Sequence, residues 1–358
     1  MTLANKIKVL VVDDSALMRK VITDLLHKDP DIVVIGTSNN GQSAILKNKE
    51  LKPDVITMDV EMPIMDGLQA LQQIMETRPT PVIMVSVLTH NGADTTFKAL
   101  ERGAVDFVPK PSVQLSLSAN EIGDLLVSKV KSISKYEFES GKDAYSKKLI
   151  ESMFNEKAQS PIAAITKKQS DKVVAIGTST GGPQALTQVF KTFPDKFPAP
   201  VLIVQHMPEG FTTAFGERLD SLSALKIKEA ETGDILKPGY GYLAPGHSHM
   251  EIEKKSANEY RIFLTQKERV SGHRPSIDVL FRSVAQNVGS KSVGVIMTGM
   301  GRDGADGLLE IKKSGGFTLA QNEATSVVYG MNRAAIEEGG VKEIVPLTDI
   351  TRKIVENI

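Results

Sequence analysis

The sequence has no cysteine, and this absence excludes a disulfide framework, cysteine-ligated zinc and a thiol nucleophile. It has no net charge either, because 43 lysines and arginines balance 43 aspartates and glutamates, so no overall charge draws the chain to nucleic acid or anionic lipid. No apolar run approaches the roughly 18 residues of a membrane-spanning helix, and residues 1–15 do not resemble a signal peptide. We therefore expect a cytoplasmic protein with no nucleic-acid partner and no membrane insertion.

The composition that remains is typical of a globular protein with two or three domains: 358 residues, of which 41% are hydrophobic and 24% charged. Residues 1–136 alternate short apolar runs with amphipathic segments in five β-α units. Such strands predict a parallel sheet covered by helices on both faces, a flavodoxin-like doubly wound α/β domain. The predicted strands are Lys8–Val12, Ile32–Gly36, Asp54–Asp59, Pro81–Ser86 and Val105–Val108. The predicted helices are Ser15–His27, Gly41–Lys49, Gly67–Thr77, Asp94–Arg102 and one that starts at the capping box Ser118-x-x-Glu121.

The rest of the chain divides into a linker and a second domain. Residues 137–170 are rich in serine and lysine without a regular apolar period, which predicts a linker with a helical piece near 144–154. Residues 171–358 predict a second doubly wound, mostly parallel α/β domain. Its predicted buried strands are 173–176, Val201–Val204, Val293–Met297 and Gly316–Ala320. Three alternating segments predict an antiparallel excursion beside the main sheet: Tyr240–Ala244, His249–Glu253 and Tyr260–Thr265.

Five polar residues follow the ends of the predicted strands in the first domain: Asp13, Asp14, Asp59, Ser86 and Lys110. Because the carboxyl ends of parallel strands lie at one edge of a sheet, we expect these side chains to gather there. Clustered carboxylates repel one another, so the group predicts a hard divalent cation such as Mg²⁺, which prefers carboxylate and phosphate oxygens. A carboxylate beside that metal can accept a phosphoryl group, while Lys110 and Ser86 can bind the phosphate oxygens.

The motifs around these residues, VLVVDDSALMR, ITMDVEMPIMDGL, IMVSVL and AVDFVPKP, resemble those of a response-regulator receiver domain. The resemblance covers residues 6–136 and implies that Asp59 is the phosphoacceptor, with a histidine kinase as phosphodonor. It also implies a Mg²⁺ site made of Asp59, the acidic pair Asp13 and Asp14, and the backbone carbonyl of Glu61.

The same resemblance implies a conformational switch. Ser86 and Lys110 would be the pair that responds to phosphorylation. Phe107 stands at the position of the switch aromatic, which rotates when Ser86 moves. An ordinary core aromatic is an equally good interpretation of Phe107.

A glycine-rich turn follows the first predicted strand of the second domain. Residues 177–182 read GTSTGG and fit the G-x-S-x-G pattern, in which a serine on a tight strand-to-helix turn presents its hydroxyl above a sheet. The pattern indicates Ser179 as a candidate nucleophile. Alone it is a weak signal, since a glycine-rich turn before a helix can also bind phosphate, although the lysine of a P-loop and the spacing of a dinucleotide motif are missing.

A serine nucleophile needs a base and an acid that orients the base. Of the six histidines, only His206 directly follows a buried-type strand of the second domain, which would bring it to the same sheet edge as Ser179. Asp303 lies in the glycine-dense turn 298–304 after another predicted strand, where it can orient the base or cap the following helix. Asp306, one turn along, competes for this assignment.

The other histidines of the second domain carry weaker signals. His247 and His249 form an H-x-H pair that could ligate a metal, but no third ligand suggests itself. His273 lies in a polar loop, where a surface role and a substrate-facing role are equally compatible with its neighbours.

The motifs AIGTSTGG, VQHMP, YLAPG and MTGMGRDGADG resemble those of the chemotaxis protein-glutamate methylesterase family, across residues 171–358. The resemblance implies Ser179 as the nucleophile, His206 as the base and Asp303 as the orienting acid. No cofactor is implied for this reaction.

Further implications concern the surroundings of these three residues. The Met300 N–H would be an oxyanion donor, and Thr180 would support the base. Two positions depart from the family's pattern, because Thr178 stands where a small residue such as alanine is expected and Arg302 where asparagine is expected. We expect Thr178 to be harmless packing, and Arg302 to affect the rate or the pH optimum through its charge beside the acid.

Together the two resemblances imply a phosphorylation-activated serine hydrolase of chemotaxis adaptation. It would demethylate glutamate γ-methyl esters on chemoreceptors, releasing methanol, and deamidate receptor glutamines. The unphosphorylated receiver is expected to block the second-domain site. A catalytically silent, phosphorylation-gated adaptor that binds receptors is the alternative, whereas a DNA-binding output is disfavoured because residues 171–358 show no helix-turn-helix pattern.

Overall fold

The computed structural model describes residues 6–87, 90–111, 118–134, 170–256 and 259–358. It divides the chain into two compact units, Met1–Glu156 and Lys157–Ile358. The predicted linker 137–170, with its helical piece near 144–154, lies outside the described residues apart from Ser170. None of the described helices has the length and apolar character needed to cross a membrane.

The first unit contains a five-stranded parallel sheet in the order β2-β1-β3-β4-β5, which confirms the predicted flavodoxin-like fold. The strands are β1 (Ile7–Val12), β2 (Ile32–Ser38), β3 (Val55–Asp59), β4 (Val82–Ser86) and β5 (Asp106–Pro109). The helices are α1 (Ala16–Leu26), α2 (Gly41–Leu51), α3 (Gly67–Thr77), α4 (His90–Glu101) and α5 (Ala119–Ile133). The capping box predicted at Ser118 and Glu121 is present at the start of α5.

The second unit is built around a seven-stranded parallel sheet in the order β14-β13-β12-β6-β7-β9-β8. Its strands are β6 (Val173–Thr178), β7 (Val201–Gln205), β8 (Lys226–Glu229), β9 (Tyr240–Leu243), β12 (Ser292–Ile296), β13 (Phe317–Gln321) and β14 (Glu343–Val345). A separate antiparallel pair consists of β10 (His249–Ser256) and β11 (Glu259–Thr265). The helices are α6 (Gly182–Lys191), α7 (Phe211–Leu222), α8 (Ile277–Val288), α9 (Ala305–Lys313), α10 (Met331–Glu337) and α11 (Ile350–Glu356).

One strand of the predicted antiparallel excursion was assigned wrongly. The segment Tyr240–Ala244 does not join β10 and β11, because β9 pairs in parallel with both β7 and β8 inside the main sheet. Its sequence alternates large and small residues at 240–242, but three of its four positions are buried, as in an interior strand of a parallel sheet. The sequence pattern did not predict the edge strands β8 and β14. Both are short, and each has one buried residue among exposed and half-buried ones.

The order of strands in the second sheet creates a switch point beside β6. The chain runs from β6 outward through β7 to β8 and β9, and then returns to the other side of β6 to form β12, β13 and β14. The carboxyl ends of β12, β6 and β7 are therefore neighbours. Ligands of doubly wound sheets bind in the crevice at such a point.

Glycine brings α8 close to this crevice. A Cβ on Gly177, in β6, would lie 2.3 Å from Cγ2 of Ile277, the first residue of α8. A Cβ on Gly304 would lie 2.6 Å from the same atom, and its φ of +93° is a conformation that favours glycine. These two contacts place the N-terminus of α8 against the ends of β6 and β12.

Candidate functional sites

The acidic residues predicted for the first site meet at the carboxyl edge of the first sheet. Lys110 Nζ lies 2.6 Å from Asp59 Oδ2 and 2.9 Å from Asp13 Oδ2. Ligand atoms of Asp13, Asp14 and Asp59 all lie within 4.8 Å of one another. Asp13 and Asp59 are buried, whereas Asp14 is exposed.

Burial governs the electrostatics of this cluster. It raises the pKa of Asp59 to about 6, with the negative charge of Asp13 adding to the effect and Lys110 opposing it. Burial would lower the pKa of Lys110, but its hydrogen bond to Asp59 and its ion pair with Asp13 outweigh this effect and raise that pKa. Two buried carboxylates thus share one ammonium group, and additional positive charge would stabilise their ionised forms.

The residues present fit a magnesium ion. Asp13 Oδ2 is buried and makes no hydrogen bond, since its approach to Lys110 is an ion-pair contact outside hydrogen-bond geometry. The donor set consists of the hard oxygen ligands that Mg²⁺ prefers. A cleft of about 240 Å³ opens beside them, lined by Asp14, Asp59, Val60, Glu61, Ser86, Val87, Gly92 and Lys110. The predicted ligand residue Glu61 is therefore beside the acids.

The predicted switch residues are in the same region. The Ser86 side chain is buried, and its hydroxyl donates to the carbonyl of Gly92 at 3.3 Å. Phe107 is only 3% exposed and packs edge-on against Phe97, with ring centroids 6.2 Å apart. The ring of Phe107 is therefore inside the core in this structure.

The structure brings together the three residues predicted for the second site. Nδ1 of His206 lies 3.1 Å from Ser179 Oγ, and its Nε2 lies 2.7 Å from Asp303 Oδ2. Ser179 follows β6, His206 follows β7 and Asp303 follows β12, so the three neighbouring strand ends supply one residue each. The carboxylate fixes the proton on Nε2, which leaves the lone pair of Nδ1 facing the serine hydroxyl.

Asp303 is held by donors from the start of α8. Its Oδ1 accepts from Ser276 Oγ at 2.7 Å and from the Asp278 N–H at 3.2 Å, and its Oδ2 accepts from the Ile277 N–H at 2.7 Å. Burial alone would raise the pKa of Asp303, but the hydrogen bond and charge of His206, together with these donors, lower it to about 2. Asp303 is therefore a buried carboxylate ionised at neutral pH.

One buried residue that sequence reasoning missed supports both the serine and the histidine. Gln205, the last residue of β7, donates from Nε2 to the carbonyls of Ser179 and His206, at 3.0 Å each. Its Oε1 accepts from Thr178 Oγ1 at 2.6 Å. The sequence signal for this role is a polar residue at the end of an otherwise apolar strand. Thr178 is thus more than the harmless packing we expected, because it orients Gln205.

The turn that carries Met300 passes directly against the serine. A Cβ on Gly299 would lie 2.8 Å from Ser179 Cβ, so a side chain at position 299 has no space. The Gly299 carbonyl accepts from the N–H groups of Gly330 and Met331, which fixes this turn. Thr180 is buried, and its carbonyl accepts from Thr298 Oγ1 at 2.9 Å.

The expectation that Arg302 places its charge beside the acid does not match the geometry. Its guanidinium binds Asp306 Oδ1 and Glu338 Oε1, at 2.9 Å each, on the exposed side of α9. Asp306, the competing acid, is engaged there and also faces Arg282 at 3.5 Å. Asp303 is thus the acid that reaches His206.

The remaining histidines have distinct positions. His249 is fully buried, and His247 is half-buried with Nδ1 2.7 Å from Ser248 Oγ. His273 stacks on His206 with ring centroids 3.7 Å apart and an interplanar angle of 10°. His273 therefore belongs to the surroundings of the base.

An acidic cluster on a receiver-type sheet and a Ser-His-Asp arrangement at the switch point of a second sheet define a response regulator whose output unit is a serine hydrolase. The family model of the response regulator receiver domain matches residues 9–120, and that of the CheB methylesterase matches residues 174–354. The chain belongs to the CheB methylesterase family.

Relatives and a solved structure agree with this assignment. The chain is 46% identical to a protein-glutamate methylesterase/protein-glutamine glutaminase of Pyrococcus horikoshii, over 99% of this chain and 95% of the relative. A protein of the same name from Halalkalibacterium halodurans is also 46% identical, over 98% of both chains. The crystal structure of the Thermotoga maritima CheB methylesterase catalytic domain is 41% identical, with a TM-score of 0.51, and covers 52% of this chain and 98% of that one.

Proposed function

We propose that this chain hydrolyses glutamate γ-methyl esters on chemoreceptors and deamidates receptor glutamines, with phosphorylation at Asp59 raising the rate. The observation that carries the proposal is the connection of Ser179, His206 and Asp303 at the switch point of the second sheet. A silent adaptor would have no need of a buried, ionised acid held by three further donors behind a histidine. The relatives are also named as enzymes.

The geometry supports acylation of Ser179 in the first half of the reaction. Ser179 Oγ attacks the ester carbonyl while Nδ1 of His206 takes its proton, and Asp303 stabilises the imidazolium that forms. The C–O bond to methoxide then breaks as Nδ1 returns the proton, and methanol leaves. Ser179 now carries the glutamyl group as an ester.

Water completes the cycle. His206 takes a proton from the water that attacks the acyl-enzyme and gives it to Ser179 Oγ as the serine leaves, which releases a glutamate carboxylate. With a glutamine substrate the same steps expel ammonia, because Nδ1 protonates the leaving nitrogen. The imidazolium is stabilised by Asp303 in both halves.

Backbone N–H groups of the Ser179 surroundings would stabilise the tetrahedral oxyanion. We assign one donor to the Met300 N–H, which belongs to the turn packed against Ser179. We assign to Thr180 a supporting position next to the nucleophile. Its bond with Thr298 ties the turn after β6 to the turn after β12.

For the first unit we propose phosphoryl transfer from a histidine kinase to Asp59. An oxygen of Asp59 attacks phosphorus as the bond between phosphorus and the donor breaks. Asp13, Asp14, Asp59 and the Glu61 carbonyl would hold Mg²⁺, which would supply positive charge to the phosphoryl oxygens. Lys110 would pair with the phosphoryl group, and Ser86 would leave Gly92 to donate to it. Phe107 would then rotate into the space Ser86 vacates.

The proposed domain boundaries are 1–136 for the receiver, 137–170 for the linker and 171–358 for the esterase. The proposed phosphodonor and the receptor segments that carry methyl esters would both be reached from the cytoplasm. We therefore propose that the protein is located there.

The test is methanol release from methylated receptor membranes, with and without a small phosphodonor and Mg²⁺. We expect release that rises with the donor and vanishes in S179A. Release that persists in S179A would reject the serine mechanism, and no release under any condition would favour the adaptor.

A further inference from the structure

His249 is a fully buried histidine whose two ring nitrogens both have protein partners. Its Nε2 lies 3.0 Å from the Glu268 carbonyl, which can only accept, and its Nδ1 accepts from the Ser276 N–H at 3.1 Å. These partners fix a neutral ring with its proton on Nε2. Burial, with the nearby Arg274, lowers the pKa of His249 and favours the same neutral form.

This arrangement excludes the metal-ligand interpretation of the H-x-H pair. Both nitrogens of His249 are occupied, and His247 bonds to Ser248. Within the ranges that the structure describes, only the three aspartates of the first unit are grouped closely enough to hold a metal ion. His249 therefore needs another explanation.

The bond from His249 reaches the residue that holds the triad acid. Ser276 is fully buried and caps α8, and its hydroxyl donates to Asp303 Oδ1 at 2.7 Å. The next two residues, Ile277 and Asp278, donate their N–H groups to the same carboxylate. His249 thus anchors the backbone at the point where three consecutive residues bind Asp303.

The same stretch of chain also reaches the base. His273, three residues before Ser276, stacks on the His206 ring at 3.7 Å. Residues 273–278, here called the clamp segment, therefore touch both His206 and Asp303. Ser276 is the first of the three residues that bind Asp303, and its N–H is the group that His249 holds.

We propose that His249 is a positioning residue of the esterase reaction, which fixes the clamp segment and through it the orientation of Asp303 and His206. This proposal rests on the proposed function of Ser179, His206 and Asp303. His249 does not touch the reacting atoms. A displacement of about 1 Å at a catalytic group can cost on the order of a hundredfold in rate, so the anchor matters to turnover more than to substrate binding.

The experiment compares H249L and H249Q in the full chain. Leucine fills the space without either hydrogen bond, whereas the glutamine amide can accept from the Ser276 N–H and donate to the Glu268 carbonyl. H247Q is the control, since His247 bonds outside this chain of contacts. The readouts are kcat and KM for methanol release, the sulfonylation rate of Ser179 by phenylmethylsulfonyl fluoride, which needs no receptor, and the melting temperature.

We expect H249L to lose about 10- to 100-fold in kcat and in sulfonylation rate, with KM changed less than about twofold, and H249Q to recover most of the loss. H247Q should match the parent chain. Wild-type sulfonylation in H249L, or an H249Q variant no better than H249L, would overturn the proposal.

Two further variants keep the outcome interpretable. If H249L fails to fold, H249A takes its place, since alanine removes the ring and both of its hydrogen bonds without needing additional space; a sulfonylation rate equal to that of the parent would overturn the proposal. Methanol release that survives S179A would instead reject the proposed function. With S179A inactive, a result against His249 concerns the anchor alone.

Discussion

At the scale of single residues, the structure separates two aspartates that the sequence leaves in competition. Asp303 precedes Gly304, whose φ of +93° turns the chain into α9, and it faces inward to His206. Asp306 is already on the helix and pairs with Arg302 and Arg282. Three positions along the chain therefore separate a buried triad acid from a surface ion pair.

This difference predicts unequal effects of the same substitution. D303N should lower kcat for methanol release by a factor of about 10³ to 10⁴, because an amide no longer fixes the proton on Nε2 or stabilises the imidazolium. D306N should stay within about twofold of the parent chain, since its partners are exposed. Comparable losses in both variants would contradict the assignment of Asp303 as the acid.

A second aspartate at the start of α8 predicts a pH effect on stability. Burial raises the pKa of Asp278 to about 6, with the Gly307 N–H and Arg282 opposing and Asp303 reinforcing the shift. The pKa of this carboxyl is lower in the unfolded chain, so ionisation of Asp278 destabilises the folded state at pH values above about 6. This cost disappears as the pH falls towards 4. D278N should therefore be more stable than the parent at pH 8, by on the order of 2 kcal/mol, and equal to it near pH 4.

The measurement is the free energy of unfolding of the parent chain and of D278N at both pH values. A D278N difference that is the same at pH 8 and pH 4 would show that ionisation of Asp278 is not its origin.

At the scale of the elements, strand ends explain how much of the site could be predicted. Ser179, His206 and Asp303 each follow an apolar run, and parallel strands bring such positions to one edge. The residues that hold Asp303 in place could not be found from strand ends. Ser276 binds Asp303 from 27 positions away along the chain, and His249 binds Ser276 from another 27 positions away. No local period encodes contacts of that range.

The misassigned strand has a related cause. An alternating sequence pattern indicates an extended strand and carries no information on the direction of the neighbouring strand. Tyr240–Leu243 therefore read as antiparallel while pairing in parallel. His249, at the start of β10, similarly read as half of a metal motif, although its burial and partners are set by α8 and the loop before it.

Gln205 gives a prediction at this scale, because it joins β6 to β7 at the proposed active site. Q205L would leave the His206 carbonyl without this donor and Thr178 Oγ1 without its acceptor, while the Ser179 carbonyl keeps its bond from the Gly182 N–H. Buried polar groups left unpaired cost roughly 1 to 3 kcal/mol each, so we expect a loss of about 2 to 4 kcal/mol in unfolding free energy and a fall in kcat. Denaturant unfolding measures the loss of stability, with Q266L at an exposed position as the control. An unchanged unfolding midpoint for Q205L would contradict the prediction.

At the scale of the whole molecule, two parallel sheets each present a reactive carboxyl edge. At the edge of the first sheet, two carboxylates, Asp59 and Asp13, share the single ammonium group of Lys110, so their negative charge is incompletely neutralised. At the edge of the second sheet, both carboxylate oxygens of Asp303 are paired with donors of the protein. The first edge is thus suited to respond to an added phosphoryl group and cation, and the second to repeat one reaction without rearrangement.

The proposed control of the esterase by the receiver predicts different results for two changes to the first unit. Removal of residues 1–136 should raise basal methanol release if the unphosphorylated receiver restrains the esterase, and D59N should abolish stimulation by a small phosphodonor while leaving basal release unchanged. The fragment is expected to fold, since the Thermotoga maritima catalytic domain was solved by itself and matches this unit. Sulfonylation of Ser179 serves as the receptor-free control in each variant. A fragment less active than the unphosphorylated full chain would show that the receiver activates the esterase directly rather than releasing a restraint.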